Sequence, residues 1–203
     1  AADAAAAEHA LVTVGIVPTH ADTGLGYIER GAVVRGSLRR VARFLEKPDR
    51  ATADALVASG CLWNSGIFAW RAADILSEIA AHCPEVAPAL AEHAGDAAAF
   101  FAAAKSIAID VGVLERSARV MVLPGTFGWS DVGTWAALLN LRERDAGGNA
   151  PAGRVLFRDA EANVVHAEGT TVVCYGVDNL VVVALNGLTL VTTAERAADL
   201  KSL

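Results

Sequence analysis

Four short stretches place polar side chains where the surrounding pattern calls for core or turn. In FGWSDVGTW, residues 127–135, one carboxylate, Asp131, lies between two glycines and beside two of the chain's four tryptophans. Such a carboxylate can cap a helix beginning near residue 132, with Trp129 and Trp135 as core. It can also be an oxygen ligand for a hard cation, since Mg²⁺ commonly takes one or two carboxylates plus substrate phosphates. In RFLEKP, residues 43–48, a strand ends and sets Glu46 and Lys47 side by side. Successive strand side chains point to opposite faces, but a bend forced by Pro48 can turn both toward one cleft. A carboxylate suits sugar hydroxyls, and an ammonium suits a phosphate as a point charge. The alternative is a solvated strand end.

In WNSGIF, residues 63–68, Asn64 lies between aromatic residues ahead of an apolar strand. Its amide both donates and accepts, which fits vicinal hydroxyls, and Gly66 lets a ligand lie against the backbone. The alternative is an Asn turn capping the strand. In TGLGYIE, residues 23–29, Gly24 and Gly26 allow close backbone approach to a ligand or simply a tight turn. Residues 35–50 hold six basic side chains (Arg35, Arg39, Arg40, Arg43, Lys47, Arg50) against two acids, Glu46 and Asp49. That is the one basic patch of a chain whose net charge is −6.

Other chemistries find no support. The histidines (His9, His20, His82, His93, His166) have no ligand spacing, and no Ser-His-Asp or Cys-His set, Walker loop or G-x-G-x-x-G after a strand occurs. Cys61, Cys83 and Cys174 are far apart and odd in number, and read as buried thiols of a reducing cytosol. An acidic chain gains nothing from counterion release on a phosphate backbone, so no nucleic-acid partner is expected. The longest apolar runs, such as 97–104 and 180–185, are too short to span a bilayer, so no membrane partner is expected. The N-terminus has no basic region followed by a long apolar one, and a cytoplasmic location is the expectation.

These residues need a scaffold, and the pattern supplies one in α/β style. Strands are predicted at 11–18, 32–34, 41–45, 67–70 and 120–123. Helices are predicted at 51–59 (capped by Asp49), 72–82, 85–93, 96–104, 110–116 and 132–144. AGGNAPAG, residues 146–153, reads as a linker. Beyond it the chain is nearly all strand, at 154–157, 162–166, 171–175, 179–184 and 188–192, spaced as in hairpins or short β-helix coils. A helix at 194–203 closes it. Two domains follow: 1–146 and 147–203.

Taken in order, PTHADTGLGYIE, RFLEKP, LWNSGIF, SIAIDVGVLE and FGWSDVGTW resemble the mannose-1-phosphate guanylyltransferases of the sugar-nucleotidyltransferase superfamily, from about residue 12 onward. The likeness continues through GVDNLVVVALNGLTLVTTAERAADLKSL. It implies part of a Rossmann-like nucleotidyltransferase mixed sheet with flanking helices, plus a small β-helix-like C-terminal region. It implies transfer of GMP from GTP to mannose 1-phosphate, giving GDP-mannose and pyrophosphate, with Mg²⁺ as cofactor and in-line attack. It maps the Gly26 backbone, Glu46 and Asn64 onto the sugar-binding positions and Lys47 onto the sugar phosphate. Asp131 maps onto one of two metal-binding aspartates. Lys47 and Asp131 are thus the expected catalytic residues, and Gly66 joins the substrate-binding set on its own pattern. A homodimer is among the expectations.

The departures are specific. The family's glycine-rich loop with its arginine and PLS-like run, which cradles the nucleotide, has no counterpart here, nor has the second metal aspartate. Ala21 stands where the family usually has proline, and Ala108 and Gly112 alter a SIDYAVME-like segment. The expectation is a piece of a longer chain with little turnover by itself and an exposed apolar sheet edge. Other readings stand beside it: an inactive or assembly module, or transfer to a different hexose 1-phosphate.

Overall fold

The computed structural model describes residues 1–131 and 142–197. They fall into two compact units, Ala1–Trp129 and Ser130–Leu203. Both contain a mixed sheet, so the architecture is the mixed α/β one expected.

The first unit is organised on strand β1, Leu11–Ile16, whose six residues are all buried. A strand covered on both faces reads as an unbroken apolar run, and LVTVGI is one. β1 pairs antiparallel with β4 (Leu62–Ala69) and parallel with β5 (Val120–Gly125). The packing is close at Gly15, where a Cβ would meet Leu62 Cδ1 and Val122 Cγ2 at 2.7 Å each. A hairpin of β2 (Tyr27–Arg35) and β3 (Leu38–Leu45) joins β4, and β3 returns to β5 through the pairs Arg39↔Val122 and Arg40↔Met121. The sheet therefore closes on itself, in the order β1-β4-β2-β3-β5. Among the described residues of this first unit the sheet has no open edge, because that short β3–β5 ladder closes it.

Helix α1, Ala2–Glu8, precedes β1. α2, Arg50–Ala58, begins where Asp49 accepts a hydrogen bond from Thr52 N at 2.7 Å, the expected cap. α3 (Ala72–His82), α4 (Ala87–Glu92) and α5 (Ala97–Ala103) follow. Two apolar layers flank the sheet. Ile75 and Ile79 of α3 pack on Leu11, Ile28, Leu62 and Val122, while Ala53 and Leu56 of α2 pack with Val14, Tyr27 and Trp63. Residues 110–114 form one π-helical turn, Asp110–Leu114, with Val113 and Leu114 in the core. Among the described residues no helix is long and apolar enough to cross a membrane.

The second unit stacks β6 (Ala150–Arg158), β7 (Val164–Tyr175) and β8 (Leu180–Leu185) in parallel, with β9 (Leu188–Thr193) antiparallel at the edge. Its axis is an asparagine stack. Asn149 Oδ1 accepts from Asn163 N and Nδ2 at 3.0 Å each, and Asn163 Oδ1 accepts from Leu180 N at 2.9 Å. The predicted linker is thus partly structure: residues 150–153 are strand and Asn149 is buried. The helix predicted at 132–144 falls mostly on residues 132–141, outside the described ones, and the one at 194–203 extends beyond residue 197. What is described of the latter is a turn leading into a short 3₁₀ segment.

Candidate functional site

The mouth of the first sheet gathers Gly26, Glu46, Asn64 and Asp110. Asn64 lies on β4 and is buried, with its backbone N–H donating to Gly26 O at 2.8 Å. Its carboxamide oxygen accepts from the fully buried Thr13 hydroxyl at 2.8 Å and from Gly66 N at 3.3 Å. Its Nδ2 donates to Asp110 Oδ1 at 3.0 Å. These partners permit one orientation only: a flipped amide would aim NH₂ at the Gly66 N–H and a carbonyl at a carboxylate.

Glu46 stands just past the end of β3. Its carboxylate lies over Gly26 so closely that a Cβ there would be 2.5 Å from Glu46 Oε2 and 3.3 Å from Asn64 Cβ. Gly26 is therefore glycine because two side chains converge on it. Burial pushes the Glu46 carboxyl up from its ordinary value, a hydrogen bond from Lys47 opposes this, and the charges of Asp110 and Glu115 push it further up.

Lys47 Nζ is 3.2 Å from Glu46 Oε1, yet the lysine side chain is 60% exposed against 14% for Glu46. The ammonium thus reaches solvent from a partly desolvated carboxylate, placed to meet an anion. The predicted bend is real, but it is made at Lys47 itself. Lys47 adopts φ 46°, in the left-handed region, and its N–H donates to Leu25 O at 3.2 Å. That conformation costs a non-glycine residue roughly 1–2 kcal/mol. It persists where surrounding bonds over-determine it.

Gly66 is exposed, with φ 72° and nothing within 4 Å of a Cβ built there. Asp131 is exposed and belongs to the second unit. Trp129, two residues earlier, is half-buried and packs on Trp63 with ring centroids 6.3 Å apart, at the margin of the core. Trp135 lies outside the described residues. Among the described residues no three His, Cys, Asp or Glu side chains gather as a metal cage. Three site residues were not singled out from the sequence: Thr13, Asp110 and Glu115, the last accepting from Glu46 N at 2.7 Å. Asp110 and Glu115 both lie in SIAIDVGVLE, a stretch that carries the resemblance, and Asp110 stands there as an acid among apolar residues.

The family model for nucleotidyl transferase matches residues 1–147. A mannose-1-phosphate guanylyltransferase of Escherichia coli is 38% identical over 94% of this chain and 44% of its own length. The xanthan biosynthesis protein XanB of Xanthomonas campestris pv. campestris is 39% identical over 98% of this chain and 44% of its own. A crystal structure from Thermus thermophilus, described as a mannose-1-phosphate geranyltransferase, superposes with TM-score 0.81 at 33% identity, covering 95% of this chain and 58% of that one. The chain spans about half the length of the curated relatives it matches, 44% of each of these two.

Proposed function

This chain belongs to the nucleotidyl transferase family, and from that premise we propose that it supplies the sugar-phosphate side of GMP transfer from GTP to mannose 1-phosphate. GDP-mannose and pyrophosphate would be the products. In this reading residues 1–146 carry the sugar-phosphate site and 147–203 form a β-rich region. The observation that carries the proposal is the convergence of Glu46 and Asn64 on Gly26, with the Lys47 ammonium ion-paired at the rim. An ionised carboxylate accepts from sugar hydroxyls, and the Asn64 amide hydrogen not bonded to Asp110 is a donor for them. The Gly26 and Gly66 backbones let the ring approach closely, and Lys47 meets the phosphate. Phosphoryl transfer of this kind asks the protein chiefly for positioning and charge neutralisation.

The donor set fits a divalent cation of the Mg²⁺ type only in its leanest form. Asp131 would supply one hard oxygen, and substrate phosphates would supply others. Such an ion, when bound, neutralises charge on phosphate oxygens. The substrates come from the mannose-1-phosphate guanylyltransferase names of the relatives.

Calorimetry with mannose 1-phosphate tests this directly. Binding should vanish in Lys47→Ala and survive in Asp131→Ala when EDTA removes metal. Unchanged binding in Lys47→Ala, or no binding by the native chain, would remove the sugar-phosphate site. Glucose 1-phosphate as competitor reads which hexose is preferred.

A further inference from the structure

Resting on the reading of Glu46 and Asn64 as the sugar contacts, we infer that the π-helical turn Asp110–Leu114, with its cap Glu115, is the element that positions both. Asp110 holds the Asn64 carboxamide and Glu115 holds the backbone of Glu46, so one turn sets the spacing of donor and acceptor.

The geometry is particular. Asp110 Oδ1 accepts from Asn64 Nδ2 at 3.0 Å, and Glu115 Oε1 accepts from Glu46 N at 2.7 Å. The two carboxylates are five residues apart, and the backbone bond Glu115 N→Asp110 O at 2.9 Å spans the same five. On an α-helix, residues five apart diverge by roughly 140° around the axis. Closing the ring over i to i+5 brings the later residue back over the earlier one, and such turns recur at functional sites. Here the turn cannot drift, because Gly112, Val113 and Leu114 are buried in the core behind it. On its open side the corner at Glu46 and Lys47 is pinned twice, by Glu115 and by Leu25 O. That is the restraint a left-handed Lys47 requires.

The consequence is chemical as well as steric. With Oδ1 already accepting from Thr13 and Gly66, Asn64 can show a ligand only N–H. Glu46, when ionised, can show only acceptors. A donor and an acceptor held at one spacing match two neighbouring hydroxyls, one accepting and one donating. Asp110 and Glu115 are positioning residues in this scheme.

The 203-residue chain serves for the test, with two readouts. The first is the Asn64 side-chain NH₂ signal in ¹H–¹⁵N spectra without ligand. The second is mannose 1-phosphate affinity. Asp110→Ala should move the Asn64 signal and weaken binding about tenfold or more, whereas Asp110→Asn, which keeps an acceptor oxygen, should recover most of the affinity. Glu115→Ala should weaken binding similarly and Glu115→Gln should restore it. If Asp110→Ala does not fold, the upfield shift of the Asn64 proton in Asp110→Asn carries the same decision, since a charge-assisted bond becomes a neutral one. An unmoved Asn64 signal in the Asp110 variants overturns the inference, as does full affinity in both alanine variants. A native chain that takes no sugar phosphate refutes the site reading instead, while the Asn64 signal still judges the positioning.

Discussion

Gly26 and Glu46 occupy the same small space: a Cβ on residue 26 would lie 2.5 Å from Glu46 Oε2. Gly26→Ala should therefore push the carboxylate off its seat rather than unfold the strand, because the clash is with a side-chain terminus. Affinity for mannose 1-phosphate should fall at least tenfold, with the melting temperature within a few degrees of the native chain. Adding Glu46→Ala should relieve the clash without restoring binding. A Gly26→Ala chain that binds normally would show the site to be more yielding than it looks.

Lys47 separates charge from backbone strain. Both Lys47→Ala and Lys47→Gly remove the ammonium and should lose phosphate binding equally. Only glycine tolerates φ 46° without cost. Lys47→Gly should therefore melt above Lys47→Ala, by about 1 kcal/mol or roughly 2–4 °C for a chain of this size. Differential scanning calorimetry on the pair measures it, and the reverse order would mean that the corner relaxes in the alanine variant.

How much of this was legible in the sequence differs by element. β1, α2 with its Asp49 cap, and α3 stand out because an apolar run or a cap marks them locally. The β2–β3 hairpin was read as two short strands, because beyond Ile28 most of β2 is exposed on both faces and shows no alternation. β7 was read as two strands because AEGT, residues 167–170, has turn composition, yet the strand runs through with Gly169 at φ 72°. Gly26, Glu46 and Asn64 could be picked out because each is an anomaly in its own segment. Thr13, Asp110 and Glu115 could not. They act on residues 51, 46 and 69 positions away, and which residues meet across such gaps is decided by strand order.

The asparagine stack makes the second unit fragile at one point. Asn163 is fully buried and its side chain serves Asn149 Oδ1, Val177 O and Leu180 N. Asn163→Ala takes the side-chain partner from Val177 O and Leu180 N, at about 1–3 kcal/mol for each left unsatisfied, while Asn149 Oδ1 keeps its bond from Asn163 N. A loss of about 3 kcal/mol or more is expected, confined to the β6–β9 unit. Hydrogen exchange should show amides of residues 150–193 deprotected while those of β1 and β5 keep their protection. Uniform loss across both units would mean that they unfold together.

Stability and recognition should oppose each other at Glu46. Its folded carboxyl titrates above the ordinary value, first because burial disfavours its charged form. Below the unfolded value, about 4.3, the acid is protonated in both states and no penalty exists. As pH rises through the folded value, the folded state must ionise a partly desolvated group that the unfolded chain ionises freely, so stability is lost and stays lost at neutrality. Glu46→Gln removes that titration. Melting curves from about pH 4 to pH 7 should show the variant gaining on the native chain as pH rises, with the difference levelling off once Glu46 is ionised. The same variant should bind mannose 1-phosphate about tenfold more weakly, because hydrogen bonds to a charged acceptor exceed those to a neutral amide. A native chain that instead gains on Glu46→Gln with rising pH would mean that the Lys47 ion pair outweighs burial, and that Glu46 is held charged for stability rather than for its ligand.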